Sequence, residues 1–367
     1  MTAVHPQPAS IVEVRSRIAG CLQAQGIGRK RAPVIVFAVD GVTCDVGRRA
    51  WQQARVDSLA SIFPTTSSSA WLSSLTGMRV ADHGIPGVVF KWPDRDGALI
   101  NVFSHSRYEG TRCGSNLFSD AADAGYLPIA CGDFDEHSAF WRDITLAHAS
   151  ILSGQQYFGH GPGHYEPQSA RAVIRRIEVS VGRALAMAAD VGRPCLLWCF
   201  IEVDRHVHEL GYDAHVDETL VLIDALAARL AGAGMTVVAY SDHGLTRTSL
   251  DEDLTNLIRR LEHRFGLEVG GAGRTRWLHL KSSQDRAPLW EQLSRHVSSD
   301  VTLGWSRDYF PEDSLAERRV GDIVLVARGE RFLCTDHAPF DHGSLLSCEV
   351  DVPFAVWQDG SVRCRSQ

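Results

Sequence analysis

No run of this sequence stays apolar for the roughly 20 residues that a membrane-spanning helix needs, which excludes an integral helical membrane protein. Positive charge is not in excess either. The formal net charge is −7, and Lys and Arg occur in short scattered groups such as Gly28-Arg29-Lys30-Arg31 and Arg48-Arg49. A nucleic-acid scaffold would show a basic face, so that class is excluded and these groups read as solvated surface. Regular cysteine spacing is missing as well. The nine cysteines are odd in number, so no disulfide framework is expected. Cys195 and Cys199, in the apolar run CLLWCFIEVD, read as small core residues of a reducing compartment. The first residues, MTAVHPQPASIVEV, lack the basic and apolar regions of a secretory signal. Repeats and low-complexity tracts are absent. The expectation is a soluble, cytoplasmic protein.

What is present is core material: 44% of the 367 residues are apolar, enough for one large α/β domain or a domain with an insertion. Residues 1–33 read as an N-terminal helical segment around IVEVRSRIAGCLQAQ. Continuous apolar runs of strand length follow at 34–39, 127–131, 195–203, 236–240 and 322–327, with helical patterns between them, notably at 169–189 and 216–232. Runs without alternation indicate strands covered on both faces, as in a parallel sheet. The expected fold is therefore α/β, a mostly parallel central sheet flanked by helices on both faces, built from 34–245 and 331–367. Residues 246–330 read differently, as helix (251–264), short strand (277–280), helix (286–297) and two further strands. They are expected to form an inserted, smaller α+β cap segment near the site. Residues 92–125 are loop-rich and read as a second, smaller excursion.

Six side chains able to bind metal lie in four short motifs at the ends of apolar runs. They are Asp40 in VIVFAVDG, Asp204 and His208 in FIEVDRHVHELG, Asp242 and His243 in VVAYSDHG, and His342 in FDHGS. Ligands bind at the carboxyl ends of the strands in such sheets, so Asp40, Asp204 and Asp242 should converge on one edge. Asp204 and His208 are four apart, on one face of a helix, with Gly211 relieving the turn that follows. His206 points elsewhere under that geometry. Adjacent ligands Asp242 and His243 need an irregular backbone, which a strand exit before Gly244 supplies. His342 has a rival in His337, and the Gly and strand that follow His342 favour it. Three carboxylates and three imidazoles suit two zinc ions rather than calcium or manganese. Between the first two motifs lies a hydroxyl-rich turn, Phe63-Pro64-Thr65-Thr66-Ser67-Ser68-Ser69, that opens a helical pattern. Such residues cap helices, and a nucleophile there also gains from free amides and the helix dipole.

Taken in order, these motifs, with Leu75-Thr76-Gly77 and His83-Gly84-Ile85 after the turn, resemble the alkaline phosphatase superfamily. They look closest to its nucleotide pyrophosphatase/phosphodiesterase branch and the bacterial members of that branch. The resemblance covers about residues 34–360 and extends to RRVGDIVLVARG at 318–329. It implies one zinc on Asp204, His208 and His342, and another on Asp40, Asp242 and His243 completed by the nucleophile's oxygen. The family nucleophile falls three residues after the Pro and nine before the Thr of Thr-Gly, which is Ser67 here, with Thr66 as the alternative. One departure stands out: Val88 occupies the place of an Asn whose amide binds a phosphate oxygen in the family. The amides of Ser67 and Ser68, or Lys91, would take over that contact, and Arg274, Arg276 and Arg307 are further candidate cations.

The implied activity is a two-zinc phosphodiesterase or nucleotide pyrophosphatase working on a small-molecule phosphoester through a phosphoseryl intermediate. Three carboxylates against two divalent ions leave a small positive excess, which suits a monoanionic diester better than a dianionic monoester. Phosphomonoesterase and carbon–phosphorus hydrolase are the alternatives within the enzyme class. Arylsulfatase is excluded because the turn lacks the Pro and Arg of that motif. A catalytically inactive ligand-binding member would lack a ligand, and none of the six is missing. Trp71 and Trp92 are the aromatics near the motifs that could stack on a leaving group; Trp71, inside a helix, is expected in the core.

Overall fold

The computed structural model describes residues 9–23, 31–92, 97–106, 108, 114–158, 165–333 and 338–357. The strands of its two larger sheets are β1 (Val34–Val39), β2 (Arg55–Ala60), β3 (Leu127–Gly132), β4 (Ser150–Ile151), β5 (Cys195–Ile201), β6 (Thr236–Tyr240), β7 (Glu268–Ala272), β8 (Thr275–His279), β9 (Val301–Trp305), β10 (Ile323–Ala327) and β11 (Asp351–Trp357). The principal helices are α1 (Val14–Gln23), α2 (Ser67–Thr76), α3 (Ala170–Asp190), α4 (Val203–Leu210), α5 (Ala214–Gly232), α6 (Glu252–Phe265) and α7 (Arg286–His296).

Seven strands form the central sheet in the order β2-β11-β6-β1-β5-β3-β4. From β6 to β4 every pairing is parallel, and β11 alone runs antiparallel, to both β2 and β6. The continuous apolar runs are explained by cover on both sides. Val34, Val36 and Ala38 pack with Ile18 of α1 and Trp71 and Leu75 of α2. Ile35, Phe37 and Val39 pack with Ile177 of α3 and Ile223 of α5 on the other face. The mostly parallel α/β sheet with helices on both faces is thus present as the sequence indicates.

The run at 322–327, which falls in the segment read as a cap, lies outside the central sheet. It becomes β10 in a separate antiparallel sheet, ordered β7-β8-β10-β9. Apolar cover on both faces again accounts for its unbroken pattern. Ile323 and Leu325 face Leu257 of α6 and Leu289 of α7, whereas Val324 and Val326 face Trp277, Phe310 and Val80. That second cluster also takes in Ile62 and Phe63, so the small sheet is seated against the chain just before the hydroxyl turn. Within 92–125 the described residues include a strand, Leu99–Asn101, paired with Val89–Lys91, and a helix, Leu117–Asp123. Among the described residues no helix is long and apolar enough to cross a membrane.

Candidate metal centre and nucleophile

In-register parallel pairing brings the strand ends level: Val39 of β1 stands opposite Ile201 of β5, and Ala38 opposite Tyr240 of β6. Asp40, the turn into α4 and Asp242 therefore leave the sheet at one edge. Gly41 allows the close approach there. Its φ is +76°, and a Cβ at that position would lie 2.7 Å from the Asp204 backbone. Its amide donates to Asp242 Oδ1 over 3.3 Å, and Trp71 Nε1 donates to Asp40 Oδ2 over 3.2 Å.

On α4 the four-residue spacing places His208 Nε2 3.2 Å from Asp204 Oδ2. Asp204 Oδ1 lies 3.8 Å from His342 Nε2. His243 Nε2 is 3.2 Å from Asp242 Oδ2, 3.6 Å from Asp40 Oδ1 and 3.1 Å from Ser67 Oγ. The imidazoles of His243 and His342 stack with ring centres 3.7 Å apart. All six predicted ligands and Ser67 are thereby gathered in one place. His337 lies outside the described residues. His206 does point away: it is buried, with Nδ1 on the Tyr165 hydroxyl and Nε2 on Asp213.

Two backbone carbonyls orient the histidines. Phe340 O lies 2.7 Å from His208 Nδ1, and Thr65 O lies 2.7 Å from His342 Nδ1. A carbonyl only accepts, so each Nδ1 carries a proton and Nε2 is the nitrogen that faces the cluster and would serve a metal ion. Gly211 closes α4 at φ +78°, where a Cβ would run into the Phe340 ring.

The donor set fits metal ions on three grounds. Ligand atoms of Asp204, His208 and His342 lie within 4.8 Å of one another, as do those of Asp40, Asp204 and His243. Asp40 Oδ1, Asp204 Oδ1, Asp242 Oδ2 and His243 Nδ1 are buried with no hydrogen-bond partner among the described residues. The charges are also unbalanced in the protein alone. Burial, and then the charge of Asp204, pushes the Asp40 carboxyl well above the usual range; burial and Asp40 do the same to Asp242. Burial works against charge on His208, but the adjoining Asp204 outweighs it and raises His208 to about 10. Burial would also raise Asp204, yet His208, His342 and His243 together hold it below the usual carboxylate range. Burial and His342 hold His243 well below its ordinary value. Carboxyls that cannot all ionise are what a site short of positive charge shows.

Ser67 begins α2, and Thr66, its N-cap residue, makes no side-chain capping bond. The Thr66 hydroxyl instead reaches Ser69 Oγ over 3.3 Å, while Ser67 Oγ faces the cluster. Three of the four candidate phosphate cations are committed elsewhere. Lys91 pairs with Glu268 at 2.7 Å, Arg274 with Glu349 at 2.8 Å, and Arg276 donates to Gly273 O and Leu333 O. Arg307 is exposed on the short helix after β9. Trp71 is core, edge-on to Trp198 and Phe200, and Trp92 lies under the Arg319 guanidinium at 3.8 Å. Neither Trp is a stacking platform. The aromatics that do line the cavity beside Ser67, Phe103, Phe134 and Trp141, carry no motif and were not singled out by the sequence.

A family model described as type I phosphodiesterase / nucleotide pyrophosphatase matches residues 34–344. Among solved structures, phosphonoacetate hydrolase from Sinorhizobium meliloti 1021 in complex with phosphonoformate is similar, with a TM-score of 0.65 and 18% identity over 91% of this chain and 92% of that one. Murine ectonucleotide pyrophosphatase/phosphodiesterase 5 gives a TM-score of 0.60 at 16% identity, with 89% and 88% covered. The human protein of the same name gives 0.58 at 17%, with 89% and 87% covered. At these identities the structural likeness is one of fold. None of the curated proteins matches the chain.

Proposed function

The chain belongs to the type I phosphodiesterase/nucleotide pyrophosphatase family, and on that footing we propose that this metal-dependent phosphoester hydrolase is a two-zinc phosphodiesterase or nucleotide pyrophosphatase acting on a small molecule. The observation that carries the reading is the 3.1 Å separation of Ser67 Oγ and His243 Nε2, a hydroxyl on a helix N-terminus aimed into a cluster of carboxylates and imidazoles. One ion would be held by Asp204, His208 and His342, the other by Asp40, Asp242 and His243 beside Ser67. Bound zinc supplies positive charge that favours an ionised hydroxyl and takes up charge on phosphoryl and leaving oxygens.

In this reading Ser67 Oγ forms the bond to phosphorus as the bond to the first alcohol breaks, leaving a phosphoseryl ester. Water then attacks the same phosphorus, the serine ester bond breaks, and the hydroxyl is regained. The first amides of α2 are open to phosphoryl oxygens because no side chain caps them. The family's neighbours include an enzyme named for a carboxylate-bearing phosphonate. The cavity beside Ser67 is lined by Asp133, Asp135 and Glu202 and by no Lys or Arg, which disfavours a second anionic group and favours a monoanionic diester. Cys131, Cys195 and Cys199 are free thiols in the core, which suits a cytoplasmic location.

The test is kcat/KM for bis-p-nitrophenyl phosphate against p-nitrophenyl phosphate with zinc-loaded enzyme. A strong diester preference is expected, and a monoester preference overturns the reading. Ser67→Ala should lower turnover by about 10³-fold or more. Near-normal turnover in that variant with metal bound would move the attack to Thr66 or to water.

A further inference from the structure

The helix α4 carries Asp204 and His208, and it is short, with 8 residues, and starts without help from a side chain: Glu202, its N-cap residue, makes no capping bond. Contacts outside the helix must therefore fix its rotation about its own axis. With about 3.6 residues per turn, position 206 falls on the side of α4 opposite the midpoint of 204 and 208. His206 stands there, fully buried, with both ring nitrogens occupied. Its Nε2 lies 3.0 Å from Asp213 Oδ1, and since a carboxylate only accepts, that nitrogen carries a proton and donates. Nδ1 lies 3.0 Å from the Tyr165 hydroxyl. The His215 ring is stacked on His206 with centres 4.6 Å apart, and Phe158 meets His215 edge-on. Asp213 is itself anchored. Its carboxylate accepts the backbone N–H groups of His215 (3.0 Å) and Val216 (3.1 Å), as the N-cap of α5. Through Val216, Leu220 and Ile223, α5 packs into the core against the central sheet. His206 thus ties the back of α4 to a helix fixed on the sheet.

We propose that His206 is a positioning residue for the metal centre. Held by Asp213 and Tyr165, it sets the angle at which α4 presents Asp204 and His208, and so the affinity of the ion assigned to Asp204, His208 and His342. The inference rests on the two-metal reading of the same site. A small rotation of α4 would carry Asp204 and His208 together, because they share one face with Nε2 and Oδ2 3.2 Å apart. His342 would stay behind, since it follows a different strand and is held by the Thr65 carbonyl. The three donors would then no longer converge. Groups that orient metal ligands from behind typically contribute about 10–100-fold in metal affinity. The ion assigned to Asp40, Asp242 and His243 draws on two strand exits of the central sheet and not on α4, so it should not respond.

The deciding experiment titrates zinc into the full-length protein against a competing chelator and reads a dissociation constant for each ion. His206→Leu should weaken one ion by about tenfold to a hundredfold and leave the other unchanged. Tyr165→Phe removes a single hydroxyl at a partly exposed position, and should weaken the same ion severalfold even if the His206→Leu protein folds poorly. His206→Gln keeps an amide able to donate to Asp213 and should recover most of the loss; failure to recover it would assign the effect to ring packing and overturn the clamp. In a His208→Ala background, where that ion is already lost, adding His206→Leu should leave the remaining ion as it was. Unchanged affinity for both ions in His206→Leu and Tyr165→Phe overturns the proposal. An equal loss at both ions also overturns it, since a general loss of structure would do the same. Turnover of bis-p-nitrophenyl phosphate by the wild-type protein would show that the hydrolase reading survives either result. A wild-type protein that takes up no zinc would overturn both.

Discussion

Arg274 Nε donates to Glu349 Oε1 over 2.8 Å, and both side chains are sealed from solvent. The arginine sits in the turn between β7 and β8 of the small sheet, and the glutamate just precedes β11 of the large one. Glu349 Oε2 also accepts from the Thr65 hydroxyl at 3.2 Å and from Ser344 N. The Thr65 carbonyl in turn holds His342 Nδ1. One buried ion pair thus joins the small sheet, the hydroxyl turn and the last histidine. Breaking a buried pair strands a charge, so Arg274→Ala should cost about 3–5 kcal/mol of stability, measured by urea unfolding. Replacing both partners with Met and Leu should cost clearly less, and an equal or larger cost would mean that the pair does more than neutralise itself.

His208 and His342 are expected to act as zinc ligands through Nε2. His208→Ala should lower bound zinc from about two ions per chain to about one, read by elemental analysis of purified protein. Retention of both ions would remove His208 from the ligand set.

The metal-free protein should lose stability as pH rises through the alkaline range. His208 is raised in the folded state from 6.5 to about 10, so its contribution is fully present below the unfolded value near 6.5 and is lost towards 10. Asp40 and Asp242, also raised, bind protons that the unfolded chain has released, and so act in the same direction. Thermal unfolding in the presence of a chelator should show Tm falling from pH 6.5 to 10. Zinc replaces those protons, so the loaded protein should lack that fall. A chelated sample with flat Tm would contradict the assignment.

Val88 lines the cavity together with Ser67. An amide introduced there by Val88→Asn would be within the same space as the phosphoryl group and could donate to it. A severalfold rise in kcat/KM for bis-p-nitrophenyl phosphate is expected. A fall would show that the apolar side chain itself contacts substrate.

The helical and parallel-strand core was legible because its signals are local. Each apolar run declares a strand covered on both faces, and a carboxylate directly after it must emerge at the sheet's carboxyl edge. Asp40 and Asp242 follow from that alone, and Asp204 with His208 follows from one helical turn. The run that became β10 shows the limit: an unbroken apolar pattern reports two covered faces, not the sheet or direction to which the strand belongs.

The sequence by itself determined the parallel strands at 34–39, 127–131, 195–203 and 236–240, their covered faces and which carboxylates follow their carboxyl ends, since these depend on spacing of a few residues. Only the tertiary structure decided what surrounds those ends. Lys91, Arg274 and Arg276 look available for phosphate in the chain, yet each is consumed by a partner that no local pattern pairs with it. Trp141 and Phe103 meet beside Ser67 across gaps of dozens of residues. Such meetings follow from how the loops fold over the sheet, and spacing along a chain carries no record of them.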